Sequence, residues 1–234
     1  MVRVKERKVG RESRSPKDHG QRGSGVIQIP RAADPAVLIR AEARRVSARL
    51  VRAVAGRGPE SEAHCERIAI WSRRLASDLG LPSERVLDIE LGGLLHDIGY
   101  LTIPSVNLDR RGPLTAEERK TLRWHSEVGA ALIDEIPALR RAVSLVAAHH
   151  EDYDGRGYPY GLSGTGISIG ARILRLVDTY EALTHDRPHR PRLSDRDARL
   201  EIARGVGRSF DPLVHAAFSL IDPEVWSGLV AAFP

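Results

Sequence analysis

Leu94-Leu95-His96-Asp97-Ile98-Gly99 closes one apolar, helix-spaced stretch, and a second stretch ends in His149-His150-Glu151-Asp152-Tyr153-Asp154-Gly155-Arg156-Gly157-Tyr158-Pro159. In both, residues that bind metals stand where a helix gives way to a glycine-bearing turn. Outward from these runs the apolar positions recur at helical spacing, and no alternating strand pattern or internal repeat is found. Val37, Leu38, Ala41, Val46, Leu50, Val51 and Val54 mark a first amphipathic helix. A second is expected from about Glu60 to Leu79, stopped by Gly80 and Pro82, and a third from a Ser83 cap to Ile98, stopped by Gly99. Thr115-Ala116-Glu117-Glu118 reads as a capping box opening a helix that reaches about Ile136, and Pro137 opens another that ends at His150. Residues 151–166 carry five glycines and Pro159 and read as a long loop of the kind that is usually functional. Ile169, Ile173, Leu176, Val177, Tyr180 and Leu183 mark the most amphipathic helix. Ser194, Asp211-Pro212 and Asp222-Pro223 start three more. The body is expected to be all-α.

The bulk properties agree with a cytoplasmic helical domain carrying a basic appendage. Residues 1–31 hold nine Arg or Lys against three acids, a local charge of +6 against +5 for the whole chain. That segment has few large apolar residues, so residues 1–34 are expected to be a disordered basic tail and 35–234 the folded domain. Nucleic acid is not expected as a partner beyond this tail. No apolar run reaches the roughly 20 residues of a membrane span, no secretory h-region follows the basic start, and the single Cys65 suits a reducing compartment. Aromatics are only 5% of the chain, so the core is expected to be aliphatic.

The polar residues that interrupt apolar faces form a set. Glu60 and His64 are at i, i+4 and share a helix face. His96, Asp97, His125, His149 and His150 follow aliphatic residues, and Asp178 lies in the most apolar helix. Singly, each has a bland explanation: a hydrogen-bonded core histidine, a surface pair, a carboxylate held by arginine, and, for Cys65, packing. Together, imidazoles and carboxylates without thiolates suit Fe, Mn, Zn or Ni, at the spacing of a two-metal phosphoesterase.

Over residues 60–220 the chain resembles the HD-GYP family of HD phosphohydrolases. His64 stands at the family's first histidine, with Glu60 at the carboxylate of its three-metal members. His96-Asp97 is the naming pair. Ile103-Pro104 and Leu114-Thr115-x-x-Glu118 lead to His125. His149-His150-Glu151 and Asp154-Gly155-Arg156-Gly157-Tyr158-Pro159 match the GYP signature, and Asp178, Arg187-Pro188 and Phe210-Asp211-Pro212 follow in order. The resemblance implies an HD-type helical bundle that hydrolyses cyclic di-GMP to pGpG, and in some members on to GMP. Two or three divalent metals, most often iron or manganese, would hold a bridging hydroxide. It implies Glu60, His64, His96, Asp97, His125, His149, His150 and Asp178 as metal ligands, with His96 and Asp97 at the catalytic centre and Asp97 bridging. Arg187 and Arg190 are implied as phosphate contacts, with Tyr100 and Tyr158 facing substrate.

Two positions depart from the family pattern. Tyr100 stands where the family usually has Lys, and His189 where it usually has Tyr. Replacing a charge-assisted phosphate contact of about 1.5–3 kcal/mol by a neutral donor would slow turnover roughly ten- to hundredfold. Two other readings follow from the same residues: an HD phosphohydrolase for another nucleotide or phosphoester, and a non-catalytic module that binds nucleotide or a diguanylate cyclase (GGDEF) domain through the glycine loop. No receiver or sensor segment stands ahead of the domain in this chain, so regulation is expected through the tail, the first helix, self-association or a separate partner.

Overall fold

The chain folds as helices, and their start points follow the capping signals. The computed structural model describes residues 35–54, 61–103, 115–187 and 190–231, all within the unit Asp34–Pro234. The tail, Glu60, Pro104, Pro188 and His189 lie outside the described residues. Helix α1 is Pro35–Val54, α2 Glu62–Asp78, α3 Ser83–Leu95, α4 Ala116–Arg123 and α5 His125–Asp134. Then come α6 Val143–Ala148, α7 Ile169–Thr184, α8 Asp195–Arg204, α9 Pro212–Ser219 and α10 Pro223–Ala231. Short 3-10 turns occupy Ile98–Thr102, Pro137–Ala142 and Gly164–Gly166. No strand occurs among the described residues; Arg187 with Arg190 and Val206 with Phe210 form isolated bridges only.

The caps do what their chemistry dictates. Thr115 and Glu118 form the full capping box, and Ser61, Ser168, Ser194 and Asp211 each accept a backbone N–H of the first turn with a side-chain oxygen. Four expectations need correction, and three of them concern how helices end near the candidate site. Ser83 is the first residue of α3 rather than its cap, and α3 stops at Leu95, not Ile98. The predicted helix to Ile136 breaks at Trp124 into α4 and α5, where the Trp124 N–H bonds to the Thr121 carbonyl in a tightened turn. The stretch from Pro137 to His150 is a 3-10 turn followed by a short α-helix that ends at Ala148. In each case a ligand-bearing residue sits on the irregular turn, where its ring can bond a carbonyl three residues back.

Two buried clusters anchor these helices, and α3 feeds both. One gathers Ile68, Trp71, Leu75, Ile89, Ile173, Leu176, Tyr180, Ile202, Phe218 and Trp226 from α2, α3 and α7–α10. The other gathers Ala43, Val51, Cys65, Leu91, Leu95, Ile98, Ile133, Leu139 and Val146. Cys65 packs there, as expected of a free thiol among aliphatics. The few aromatics are not scattered: the Trp71 and Trp226 rings meet edge-on at 5.1 Å, and Tyr180 and Phe218 do the same at 5.1 Å. The core is therefore aliphatic on one side and aromatic on the other.

Candidate metal centre

The structure brings seven of the eight predicted ligands into two adjoining groups; the eighth, Glu60, lies outside the described residues. Asp97, His125, His149 and His150 offer ligand atoms that all lie within 4.8 Å of one another, and so do His64, His96 and Asp178. Asp97 joins the groups: one carboxylate oxygen is 3.1 Å from His96 Nε2 and the other 3.4 Å from His125 Nε2. Five separate segments meet here, so the site exists only in the folded chain.

The rings are held in one orientation by their backs. His96 Nδ1 is 2.8 Å from the Gly93 carbonyl, His125 Nδ1 2.6 Å from that of Leu122, and His149 Nδ1 2.7 Å from that of Val146. A carbonyl can only accept, so each Nδ1 must carry the proton, and each Nε2 presents a lone pair to the interior. His64 Nδ1 lies 2.8 Å from Glu181 Oε2, which fixes the same tautomer. The facing Nε2 atoms approach closely: 3.4 Å for His64 and His96, 3.2 Å for His125 and His149, 3.1 Å for His150 and His125. Lone pairs at these distances repel, and a shared cation turns that repulsion into ligation. The donor set thus fits divalent metals with N/O preference.

Electrostatics point the same way. Burial, reinforced by neighbouring rings, pushes the His149 and His150 pKa values well below the usual range, so both are neutral at pH 7, the form a metal would need. Burial also opposes a charged His96, but the adjacent Asp97 carboxylate outweighs it and lifts that imidazole to about 10, so its Nε2 carries a proton towards Asp97 that a bound metal would displace. Asp97 is buried too, yet the surrounding imidazoles hold its carboxyl well below the ordinary carboxylate range. The field at this spot favours positive charge.

A residue the sequence reading missed organises the second group. Glu181 is 1% exposed and bonds His64, Arg67, His185 and Arg187. Burial alone would raise its pKa, but the His64 hydrogen bond, with Arg67, brings it down to about 2 from 4.5. Its contribution to stability is therefore complete above the ordinary carboxylate range and is lost as pH falls from about 4.5 towards 2. Its signal was legible: Glu181 follows Asp178 by three residues and Arg67 follows His64 by three, so the two pairs share faces of α7 and α2. Glu181→Ala would leave the Arg67 cation buried without this carboxylate and free the His64 ring. A loss of about 3 kcal/mol is expected in urea unfolding. Metal affinity should fall at least roughly tenfold by calorimetry; unchanged affinity would remove Glu181 from the support of the site.

Tyrosines flank the ligand rings. Tyr100, on the Ile98–Thr102 turn, stacks on His125 with centroids 4.6 Å apart and planes 13° apart. Tyr158 stacks on His150 at 4.7 Å, and the Arg123 guanidinium lies 4.9 Å from the centre of the Tyr158 ring. The 151–166 loop is built to deliver Tyr158. Glu151, buried at the loop entry, accepts the Tyr160 and Leu162 backbone N–H groups. Asp152 pairs with Arg175 of α7, and the Asp154 N–H reaches the Arg208 carbonyl. At Gly157 a Cβ would lie 2.1 Å from Asp152 N and 2.5 Å from Glu151 Cα, so only glycine lets the loop fold back this tightly. The remaining predicted residues, Arg187 and Arg190, are not in either ligand group. They form an isolated bridge with each other, Arg187 reaching Glu181 and Arg190 the Ala182 carbonyl at the end of α7.

A helical fold that gathers five histidines and two aspartates into groups able to hold metal ions, with the His-Asp doublet at a helix end, has the arrangement of an HD domain. The chain belongs to the HD domain family, whose profile spans residues 44–214, and within that family to the HD-GYP type. It is 34% identical over 165 residues to a 3′3′-cGAMP-specific phosphodiesterase of Vibrio cholerae, covering 70% of this chain and 32% of that protein. It is 32% identical over 171 residues to a cyclic di-GMP phosphodiesterase of Thermotoga maritima, covering 72% and 46%. The chain thus spans less than half the length of these relatives. Among solved structures, a cyclic GMP-AMP specific phosphodiesterase of V. cholerae superposes with TM-score 0.57 at 21% identity, covering 81% of this chain and 53% of that one. The HD domain of L. monocytogenes phosphodiesterase PgpH superposes with TM-score 0.52 at 16% identity, covering 78% and 96%. These two share the fold. No helix among the described residues is long and apolar enough to cross a membrane.

Proposed function

We propose that this chain is a metal-dependent phosphodiesterase that opens cyclic di-GMP to pGpG. The observation that carries the reading is Asp97, whose two oxygens reach the two ligand groups separately. When bound, divalent iron or manganese would lower the pKa of water to near neutrality and draw charge from the phosphoryl oxygens. The chain's own residues then orient and select. His149 and His150 stay neutral and directional. Tyr158 and Arg123 form a cation-topped aromatic wall beside His150, suited to a substrate that is both planar and anionic. Arg187 and Arg190, held beside the end of α7, are assigned to substrate phosphate.

Tyr100 was expected above to replace a phosphate-facing lysine with a neutral donor. Its stacking on His125 supports a different emphasis, a platform that keeps the ligand ring upright. Tyr100→Phe should then hold kcat within about threefold, while Tyr100→Ala should lower it roughly tenfold or more. Equal losses in both would return the role to the hydroxyl.

A second cyclic dinucleotide comes into view because one relative bears the name of a 3′3′-cGAMP-specific enzyme. Steady-state kinetics on cyclic di-GMP and 3′3′-cGAMP, with products separated by chromatography, decide between them. The reading expects the larger kcat/KM for cyclic di-GMP, with pGpG as the first product. A preference for 3′3′-cGAMP, or turnover of neither, would overturn it.

A further inference from the structure

Four of the five imidazoles in the candidate metal groups are backed by an acceptor oxygen at Nδ1, and His150 is the exception. His96, His125 and His149 each set Nδ1 against a backbone carbonyl, and His64 sets its own against Glu181. The Nε2 of His150 faces His125 at 3.1 Å, and its Nδ1 has no hydrogen-bond partner among the described residues. Rings take over instead. The His149 centroid lies 4.0 Å from that of His150 with the planes 43° apart, and the Tyr158 centroid 4.7 Å away with the planes 26° apart. Such ring pairs contribute about as much as the hydrogen bond they replace. The Tyr158 N–H also donates to the His150 carbonyl at 3.2 Å, so the two residues are tied through the backbone as well.

Tyr158 is held in turn by Arg123. The guanidinium lies 4.9 Å from the ring centre, and no carboxylate among the described residues competes for it. Arg123 is the last residue of α4, two before His125, and its carbonyl accepts the Ser126 hydroxyl at 3.1 Å. A side chain rooted in the His125 segment thus reaches the ring that leans on His150. We propose that Arg123 and Tyr158 are positioning residues for His150, a clasp that does for this ring what a carbonyl does for His96, His125 and His149. The inference rests on the reading of His150 as a metal ligand. Without a bond at Nδ1 an imidazole can rotate about χ2, whose well is broad, and swing Nε2 out of the group. A ring stacked nearly parallel to it resists that rotation, and the cation steadies the stacked ring.

Cobalt(II), titrated into the full chain, reads the rings one by one, because the N–H of each imidazole bound to it gives its own strongly shifted proton signal. His150→Gln identifies the His150 signal by removing it. Tyr158→Leu should move or broaden that signal more than any other and weaken cobalt binding about tenfold. Tyr158→Phe keeps the ring and should match the wild type. Arg123→Ala should weaken cobalt binding about threefold, again with the His150 signal the most affected. Arg123 is exposed, so that variant leaves the core intact. The inference is overturned if Tyr158→Leu moves the His150 signal no more than the rest, if Tyr158→Phe loses as much as Tyr158→Leu, or if Arg123→Ala binds cobalt as tightly as the wild type. A wild-type spectrum from which His150→Gln removes no signal would overturn the ligand reading of His150, and this inference with it.

Discussion

Asp97→Ala should abolish turnover of the cyclic dinucleotide, with kcat reduced by about a thousandfold or more, equivalent to roughly 4 kcal/mol of lost transition-state stabilisation. Most single ligands serve one group of atoms, but Asp97 touches both: His96 at 3.1 Å with one oxygen and His125 at 3.4 Å with the other. Its carboxylate is also the charge that makes the buried pocket of imidazoles hospitable to cations. Removing it takes away a bridging ligand and the local field together, so metal content should fall along with rate. Asp97→Asn keeps the shape and one acceptor but not the charge, and it should be nearly as inactive. A variant with full metal content and only a few-fold loss of kcat would mean that Asp97 does not bridge.

Gly99→Ala should produce the largest effect of any residue that touches no ligand directly. A Cβ at Gly99 would lie 2.0 Å from the His125 carbonyl oxygen and 2.6 Å from its carbon. Both are backbone atoms at the start of α5, so no side-chain rotation relieves the contact. Either the Ile98–Thr102 turn moves away from α5 or His125 is driven out of the ligand group. Overpacking of this kind costs about 3 kcal/mol, and displacement of a ligand by an ångström costs about a hundredfold in rate. The matched control is Gly166→Ala, where a Cβ meets nothing within 4 Å. Urea unfolding and turnover should both drop for Gly99→Ala and stay near wild type for Gly166→Ala; equal behaviour of the two would show that the close approach at Gly99 is unimportant.

What could be read in the sequence divides along physical lines. The proposed ligands at helix ends were legible because His and Asp are conspicuous beside aliphatic residues, as in Leu94-Leu95-His96-Asp97 and Val146-Ala147-Ala148-His149-His150. Caps were legible because their chemistry is local, and the Thr115–Glu118 box formed as expected. The breaks at Trp124 and after Leu95 were not legible, because they answer to tertiary demands: each lets an imidazole bond a carbonyl three residues back while its other nitrogen turns inward. Propensity alone continues both helices. Tyr158 was legible only as part of a signature. Its stacking on His150 depends on the fold-back at Gly157 and on Glu151 gathering two backbone N–H groups, both set by three-dimensional closure. Glu181 was within reach of helical periodicity but is masked by its neighbours, since a lone acid in an apolar helix is as often a surface residue as a buried clamp.

The two groups and the carboxylate between them are the centre of this account, and metal reconstitution under anaerobic conditions tests them most directly. The chain is stripped with a chelator, then titrated with Fe(II) or Mn(II) while cyclic di-GMP turnover and bound metal are followed together. The account predicts no turnover in the stripped protein and a rise that reaches its plateau only at two or more metals per chain. Full turnover in the presence of chelator, or none at any loading, would contradict it.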